Sequence, residues 1–230
     1  MGIMRLLMLH GWTYQTATWD ALRQELSARG IEHEFLRIPG LTDGSDPVWT
    51  LDDYAAWLDE IVGDDRVILY GHSNGGRISL AYALARPDKV SRLILEDSAG
   101  IPPRGVRKLK RDAFRVLAQI FGRFVRFERL RGTFRRAIRA SDYANASPNM
   151  RKTMANLVAA DLSERIAAIA CPTLIVWGAH DTTTPLEDGR LMHARIAGSR
   201  LVVIPDARHS PHITNVKEVA DLVQRESEAL

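Results

Sequence analysis

At 230 residues, with 46% hydrophobic and 26% charged side chains, the chain has the composition of a soluble globular protein with room for one sizeable core. No apolar run approaches the ~20 residues of a membrane-spanning helix, and a single cysteine, Cys171, excludes an internal disulfide, so a cytoplasmic protein is expected. The net charge of +3 hides an asymmetry: residues 99–152 carry fifteen Lys and Arg against three acids, a balance of +12, which leaves the rest of the chain at −9.

Strand and helix patterns alternate along the chain. Short apolar runs at Ile3–Leu9, Glu32–Ile38, Arg66–Tyr70, Val90–Glu96, Pro172–Trp177 and Arg200–Ile204 read as strands covered on both faces. Helical patterns fall between them at Trp19–Arg29, Thr50–Val62, Gly75–Ala85, Leu186–Ile196 and Asn215–Glu228. The alternation predicts an α/β fold of about six mainly parallel strands with helices on both faces. The first run, within MGIMRLLMLHG, lacks a basic n-region and a small-residue cleavage site, so a strand is expected there rather than a signal peptide. His10-Gly11-Trp12 follows. The Trp12 amide is a candidate donor to a developing negative charge, and His10 reads as a packed support of that loop.

The third strand runs into Gly71-His72-Ser73-Asn74-Gly75-Gly76, with a helix directly after it. Taken alone, a G-x-S-x-G pentapeptide also fits a glycine-rich phosphate loop or a plain turn. Between a strand and a helix it has the context of a nucleophile elbow. Glycines at 71 and 75 let strand and helix cross closely, and the turn lifts the Ser73 hydroxyl above the sheet beside the Asn74 amide.

The alternation breaks once. From about residue 99 to 169 a basic helical region intervenes, with Phe114, Leu117, Phe121, Phe124 and Phe127 at roughly helical spacing. The expected organisation is a core of residues 1–98 and 170–230 with a helical cap of residues 99–169 over the carboxyl edge, where open α/β sheets bind ligands. The basic charge of the cap fits a solvated face, attraction of an anionic substrate or acidic carrier, or membrane-surface contact; no nucleic-acid reading motif accompanies it.

A serine hydroxyl needs a base, and the base needs an orienting acid. Asp181 lies on the loop after Pro172–Trp177, and His209 on the loop after Arg200–Ile204. The order Ser73, Asp181, His209 along the chain suits this architecture. Asp97, at the end of the fourth strand, is the rival acid. His209 and His212, three apart, raise the question of a metal, but no further ligand stands at suitable spacing and none is expected. Trp12, Trp177, Phe121 and Phe124 are the candidate pocket aromatics, Cys171 reads as a small buried hydrophobe, His72 is expected to face strand neighbours, and His180 to be exposed.

HGW at 10–12, GHSNGG at 71–76, PTLIVWGAHD at 172–181, TPL at 184–186 and RHSPH at 208–212 together resemble the α/β-hydrolase superfamily over nearly the whole chain. The resemblance implies a serine hydrolase cleaving a small-molecule carboxylic ester without a cofactor: Ser73 the nucleophile, His209 the base, Asp181 the acid, and the Trp12 and Asn74 amides the oxyanion hole. It leaves open lyase, lactonase, thioesterase or C–C hydrolase chemistry on an anionic or carrier-borne substrate, as in pimeloyl-carrier methyl esterases, and a non-catalytic receptor. Arg77 resembles an arginine of a lyase branch that makes a menaquinone precursor, although a structural salt bridge is the preferred expectation. Two departures stand out: HGW already on the first strand, so that a sheet of about six strands without the N-terminal hairpin is expected, and Arg208 where the family often has glycine.

Overall fold

The computed structural model describes residues 4–13, 15–41, 45, 47–102 and 146–229. Six strands, β1 (Leu6–Leu9), β2 (His33–Leu36), β3 (Val67–His72), β4 (Val90–Glu96), β5 (Thr173–Gly178) and β6 (Arg200–Ile204), form one sheet in the order β2-β1-β3-β4-β5-β6. All five pairings are parallel. The helices are α1 (Asp20–Ala28), α2 (Leu51–Val62), α3 (Asn74–Ala85), α4 (Pro148–Ala159), α5 (Leu186–Arg195), α6 (Pro211–Thr214) and α7 (Val216–Glu228).

Period-two alternation sends neighbouring strand residues into two layers. Leu7, Leu9, Leu69, Leu95 and Ile175 pack in a layer with residues of α2, α3 and α5. Leu6, Met8, Ile68, Tyr70, Ile94 and Val176 pack in a second layer with residues of α1 and α7. β1, β3, β4 and β5 are covered on both faces, which is why they read as apolar runs, whereas the edge strands β2 and β6, expected to be covered likewise, stay partly exposed. Two charged residues still end up buried at the close of β4, Glu96 and Asp97.

The strand order reverses between β1 and β3, so the loops leaving these neighbours run in opposite directions and open a crevice at the carboxyl edge. Gly11 and Ser73 sit at that crevice. β3 continues to His72, two residues past the expected end, because pairing of Gly71 with Leu95 and His72 with Glu96 prolongs the ladder. β2 is shorter than expected, since its ladder spans the four residues of β1. The one-turn helix α6, with Pro211 at its start, was not anticipated; it belongs to the loop behind His209.

Within the stretch expected as a cap, residues 103–145 lie outside the described residues, and with them Phe121, Phe124 and most of the basic charge. α4 is described. Its Ser147 cap accepts from the Met150 amide at 3.2 Å, and the helix is tied to the segment before α2. Thr153 Oγ1 accepts the Trp49 amide at 2.9 Å, and Asn156 Nδ2 donates to the Trp49 carbonyl at 3.1 Å.

Candidate active site

Ser73 begins the elbow helix from a backbone that few side chains tolerate, φ 53° and ψ −115°. A non-glycine residue so placed costs about 1–3 kcal/mol and persists only where its surroundings hold it. Here the Ser73 amide donates to the Glu96 carbonyl at 3.0 Å, and its carbonyl accepts the Ala99 amide at 2.8 Å and the Arg77 amide at 3.2 Å. The flanking glycines are required by contact. A Cβ on Gly75 would lie 2.2 Å from the Leu9 carbonyl oxygen, and one on Gly71 2.6 Å from Gly76 Cα. A serine at a helix start ordinarily caps a backbone amide. Ser73 makes no such bond. Its Oγ lies 3.0 Å from His209 Nε2.

His209 is held by its other nitrogen. Nδ1–H donates to Asp181 Oδ2 at 2.7 Å, which makes Nε2 the acceptor for the serine proton. Asp181 is surrounded by donors: the Thr183 amide at 2.7 Å and the Thr184 amide at 3.1 Å on Oδ1, and the Thr184 hydroxyl 2.7 Å from Oδ2. Thr184 is not among the residues expected to act here; the TPL at 184–186 is the sequence signal that points to it. The structure therefore brings Ser73, His209 and Asp181 into one hydrogen-bonded chain across loops that follow β3, β6 and β5.

The expected oxyanion donors are the amides of Trp12, on the turn after β1, and of Asn74, at the start of α3. As the first residue of α3, Asn74 has an amide with no intrahelical acceptor. The Gly11–Trp12 turn abuts the elbow so closely that a Cβ on Gly11 would stand 3.0 Å from Ser73 Cβ. His10 is buried, stacks on Phe35 and donates Nδ1–H to the Gly11 carbonyl at 2.7 Å; burial pushes its pKa down to about 4, so it supports the loop as a neutral ring. A cavity of about 250 Å³ opens beside this turn, lined among others by Trp12, Thr13, His72, Ser210 and His212.

Several expected roles change. Trp177 is fully buried, its indole N–H donating to the Thr184 carbonyl at 2.8 Å and its ring lying against Gly189, so it packs the core between β5 and α5 instead of lining a pocket. Asp97 does not reach His209 with a hydrogen bond. Its Oδ1 accepts the Gly178 amide at 2.9 Å, its Oδ2 is buried without a hydrogen-bond partner among the described residues, and burial, reinforced by the charge of Glu96, pushes its pKa up to about 9. Arg77, expected in a salt bridge, has none among the described residues. Its guanidinium is buried, donates to Asn74 Oδ1 at 3.1 Å, and leaves its own Nε and Asn74 Nδ2 without acceptors; burial lowers its pKa to about 10. His72 does not face strand neighbours alone: its Nε2–H donates to the His209 carbonyl at 2.8 Å. His180 is exposed and Cys171 is buried.

His72, Glu96 and His212 bring potential metal-ligand atoms within 4.8 Å of one another, as do His72, Asp97 and His209. In the first group the atoms are engaged by hydrogen bonds, His212 Nδ1 to Glu96 and His72 Nε2 to the His209 carbonyl. In the second, His209 is engaged at both ring nitrogens. Among the described residues, no helix is long and apolar enough to cross a membrane.

A family model described as alpha/beta hydrolase fold matches residues 6–216. Over 247 aligned residues the chain is 25% identical to the pimeloyl-(acyl-carrier protein) methyl ester esterase of Proteus mirabilis, an alignment covering 100% of this chain and 94% of that protein. Among solved structures it is similar to a thermophilic esterase from Thermogutta terrifontis, with a TM-score of 0.65 and 26% identity over 96% of this chain and 88% of that one. An esterase from Exiguobacterium antarcticum shares the fold at a TM-score of 0.73 and 22% identity, over 98% and 92% of the two chains.

Proposed function

Because the chain belongs to the alpha/beta hydrolase fold family, we propose that it hydrolyses carboxylic esters with Ser73 as nucleophile, His209 as general base and Asp181 as the orienting acid. The carrying observation is the hydrogen-bonded chain from Ser73 Oγ through both nitrogens of His209 to Asp181 Oδ2, built on a serine released from helix capping. His209 Nε2 takes the serine proton as Oγ attacks the ester carbonyl, and Asp181 stabilises the imidazolium. The Trp12 and Asn74 amides bind the tetrahedral oxyanion, donors worth roughly 10²–10³ each in rate. His209 then hands its proton to the leaving alcohol. A water repeats the sequence on the acyl-enzyme, returning the acid and free Ser73. Residues 1–98 and 170–230 form the proposed hydrolase core, with residues 99–169 as its cap, and the cytoplasm is the proposed location.

A second reading narrows the substrate to an anionic or carrier-borne ester. It is supported by the buried Arg77 guanidinium, which has no carboxylate partner among the described residues, and by the name of the Proteus mirabilis relative. A buried cation without a counter-ion is costly unless a ligand supplies the charge.

The test is hydrolysis of p-nitrophenyl esters from acetate to dodecanoate, beside methyl esters of dicarboxylic acids, by wild type and by Ser73→Ala. Turnover by wild type, cut by about 10⁴-fold or more in Ser73→Ala, supports the reading. Labelling of Ser73 without steady-state turnover of any ester would favour a receptor instead. On a substrate with a free carboxylate, Arg77→Met is expected to raise KM about tenfold or more while leaving neutral esters within about threefold, the difference expected of a lost charge-assisted contact.

A further inference from the structure

Under the loop that carries His209, on the face covered by α1 and α7, lies a polar cluster that the proposed reaction leaves unused. Tyr70 and His72 on β3 and Glu96 on β4 continue the rows of Ile68 and Ile94, which point into the apolar layer on that side. Glu96 is fully buried, and an unpaired carboxylate there would be strongly unfavourable. Its Oε1 accepts the His212 backbone amide at 3.0 Å and the His212 Nδ1–H at 2.8 Å, and its Oε2 accepts the Tyr70 hydroxyl. Burial alone would raise the Glu96 carboxyl; attraction to His212 and the hydrogen bonds from His212 and Tyr70 outweigh it and hold the group below the ordinary carboxylate value.

The cluster is closed by aromatic packing. Trp19 stacks on the His212 ring, with centroids 4.0 Å apart and planes at 17°, and meets Tyr70 and His72 edge-on. The His72 ring lies between His212, at 4.6 Å, and His209, at 5.0 Å, and its Nε2–H grips the His209 carbonyl. The loop between β6 and α7 thus has two anchor points on rigid strands. One is the backbone of His209 itself, and the other lies three residues on, at His212.

We propose that His72, Glu96 and His212 are positioning residues: they seat the loop so that His209 Nε2 stays within hydrogen-bonding reach of Ser73. The inference rests on the serine-hydrolase reading of that pair. A base displaced by about 1 Å loses on the order of 10²-fold in rate without any change in its chemistry. Glu96 is the hub. It is a charged residue at the end of a strand buried on both faces, and its two oxygens tie the strand that bears it to the base loop and to the strand that leads into the nucleophile.

Fluorophosphonate labelling of Ser73 and steady-state ester kinetics test this together, with thermal unfolding to confirm that each variant folds. His72→Phe keeps the ring and removes the donor to His209; His212→Phe keeps the stack on Trp19 and removes the ring bond to Glu96. Each is expected to lower kcat about tenfold to a hundredfold with KM within about twofold, and to slow labelling in proportion. Glu96→Gln retains an oxygen that can accept both His212 bonds and is expected to stay within about threefold of wild type, whereas Glu96→Ala falls with the histidine variants. Folded His72→Phe and His212→Phe proteins with wild-type kcat, or a fall in activity carried by KM, would overturn the inference. A wild-type protein that the probe does not label at Ser73 would overturn the serine-nucleophile reading, and this inference with it.

Discussion

Asp97 and Asp181 follow adjacent strands, β4 and β5, and both are buried at the carboxyl edge, yet their surroundings treat a carboxylate in opposite ways. Asp181 enters a Thr-rich turn whose amides, hydroxyl and facing imidazole supply four donors. Asp97 sits at a left-handed backbone position, φ 43°, with one donor to Oδ1 and an Oδ2 that has no hydrogen-bond partner among the described residues. Burial and the neighbouring Glu96 push the Asp97 pKa up to about 9, so it holds its proton at neutral pH. The same residue type at neighbouring strand ends thus becomes an acceptor for His209 Nδ1–H in one case and a neutral packing group in the other. The difference is made by local donors rather than by sequence position.

The contrast can be broken most severely at Asp181. Asp181→Asn is expected to lower kcat by about 10³–10⁴-fold, because an amide can present the wrong partner to His209 Nδ1–H and carries no charge to stabilise the imidazolium. Stopped-time ester assays check this. A loss of less than about tenfold would mean that Asp97 takes over as acid. Next is Thr184→Val, which removes the hydroxyl shared by Asp181 Oδ2 and the Asp97 carbonyl. Its expected cost is roughly tenfold in kcat, the worth of one hydrogen bond to a charged acceptor.

The smallest effect on rate is expected at Asp97. Asp97→Asn mimics the protonated carboxyl and should leave kcat within about threefold at pH 7. Its signature is in stability. With the folded pKa raised to about 9, the unfolded chain loses the Asp97 proton first as pH rises past the ordinary carboxylate range. Between there and pH 9 the folded state binds more protons, so this group makes stability fall as pH increases. Denaturant unfolding at pH 5, 7 and 9 should show a shallower decline in Asp97→Asn than in wild type. Parallel curves would mean that Asp97 ionises like an exposed carboxylate.

Much of this arrangement is legible in the chain. Apolar runs alternating with helical patterns specify a two-faced parallel sheet, because strands covered on both sides need no polar face. The elbow can be read from Gly71 and Gly75 around Ser73, since a crossing this close admits no Cβ. Asp181 and His209 can be placed on loops after strands, at the edge where the hydroxyl emerges. Thr184, His72 and Glu96 were harder to read. Thr184 acts through a turn that brings its hydroxyl back onto Asp181. Glu96 closes an apolar strand with nothing nearby in sequence to show that His212, far along the chain, would pair with it.

What the sequence determined by itself was therefore local: the periods of strand and helix, the tight corner at Ser73, and the types of residue at the strand ends. Tertiary structure decided the identity of each partner. It selected Asp181 over Asp97 by the donors folded around each, sent Trp177 into the core, left Arg77 with Asn74 instead of a carboxylate, and turned His72 onto the His209 backbone. These outcomes depend on burial and on contacts between distant segments, and both are properties of the packed chain: a carboxylate's charge and a histidine's proton are set by what surrounds them in space.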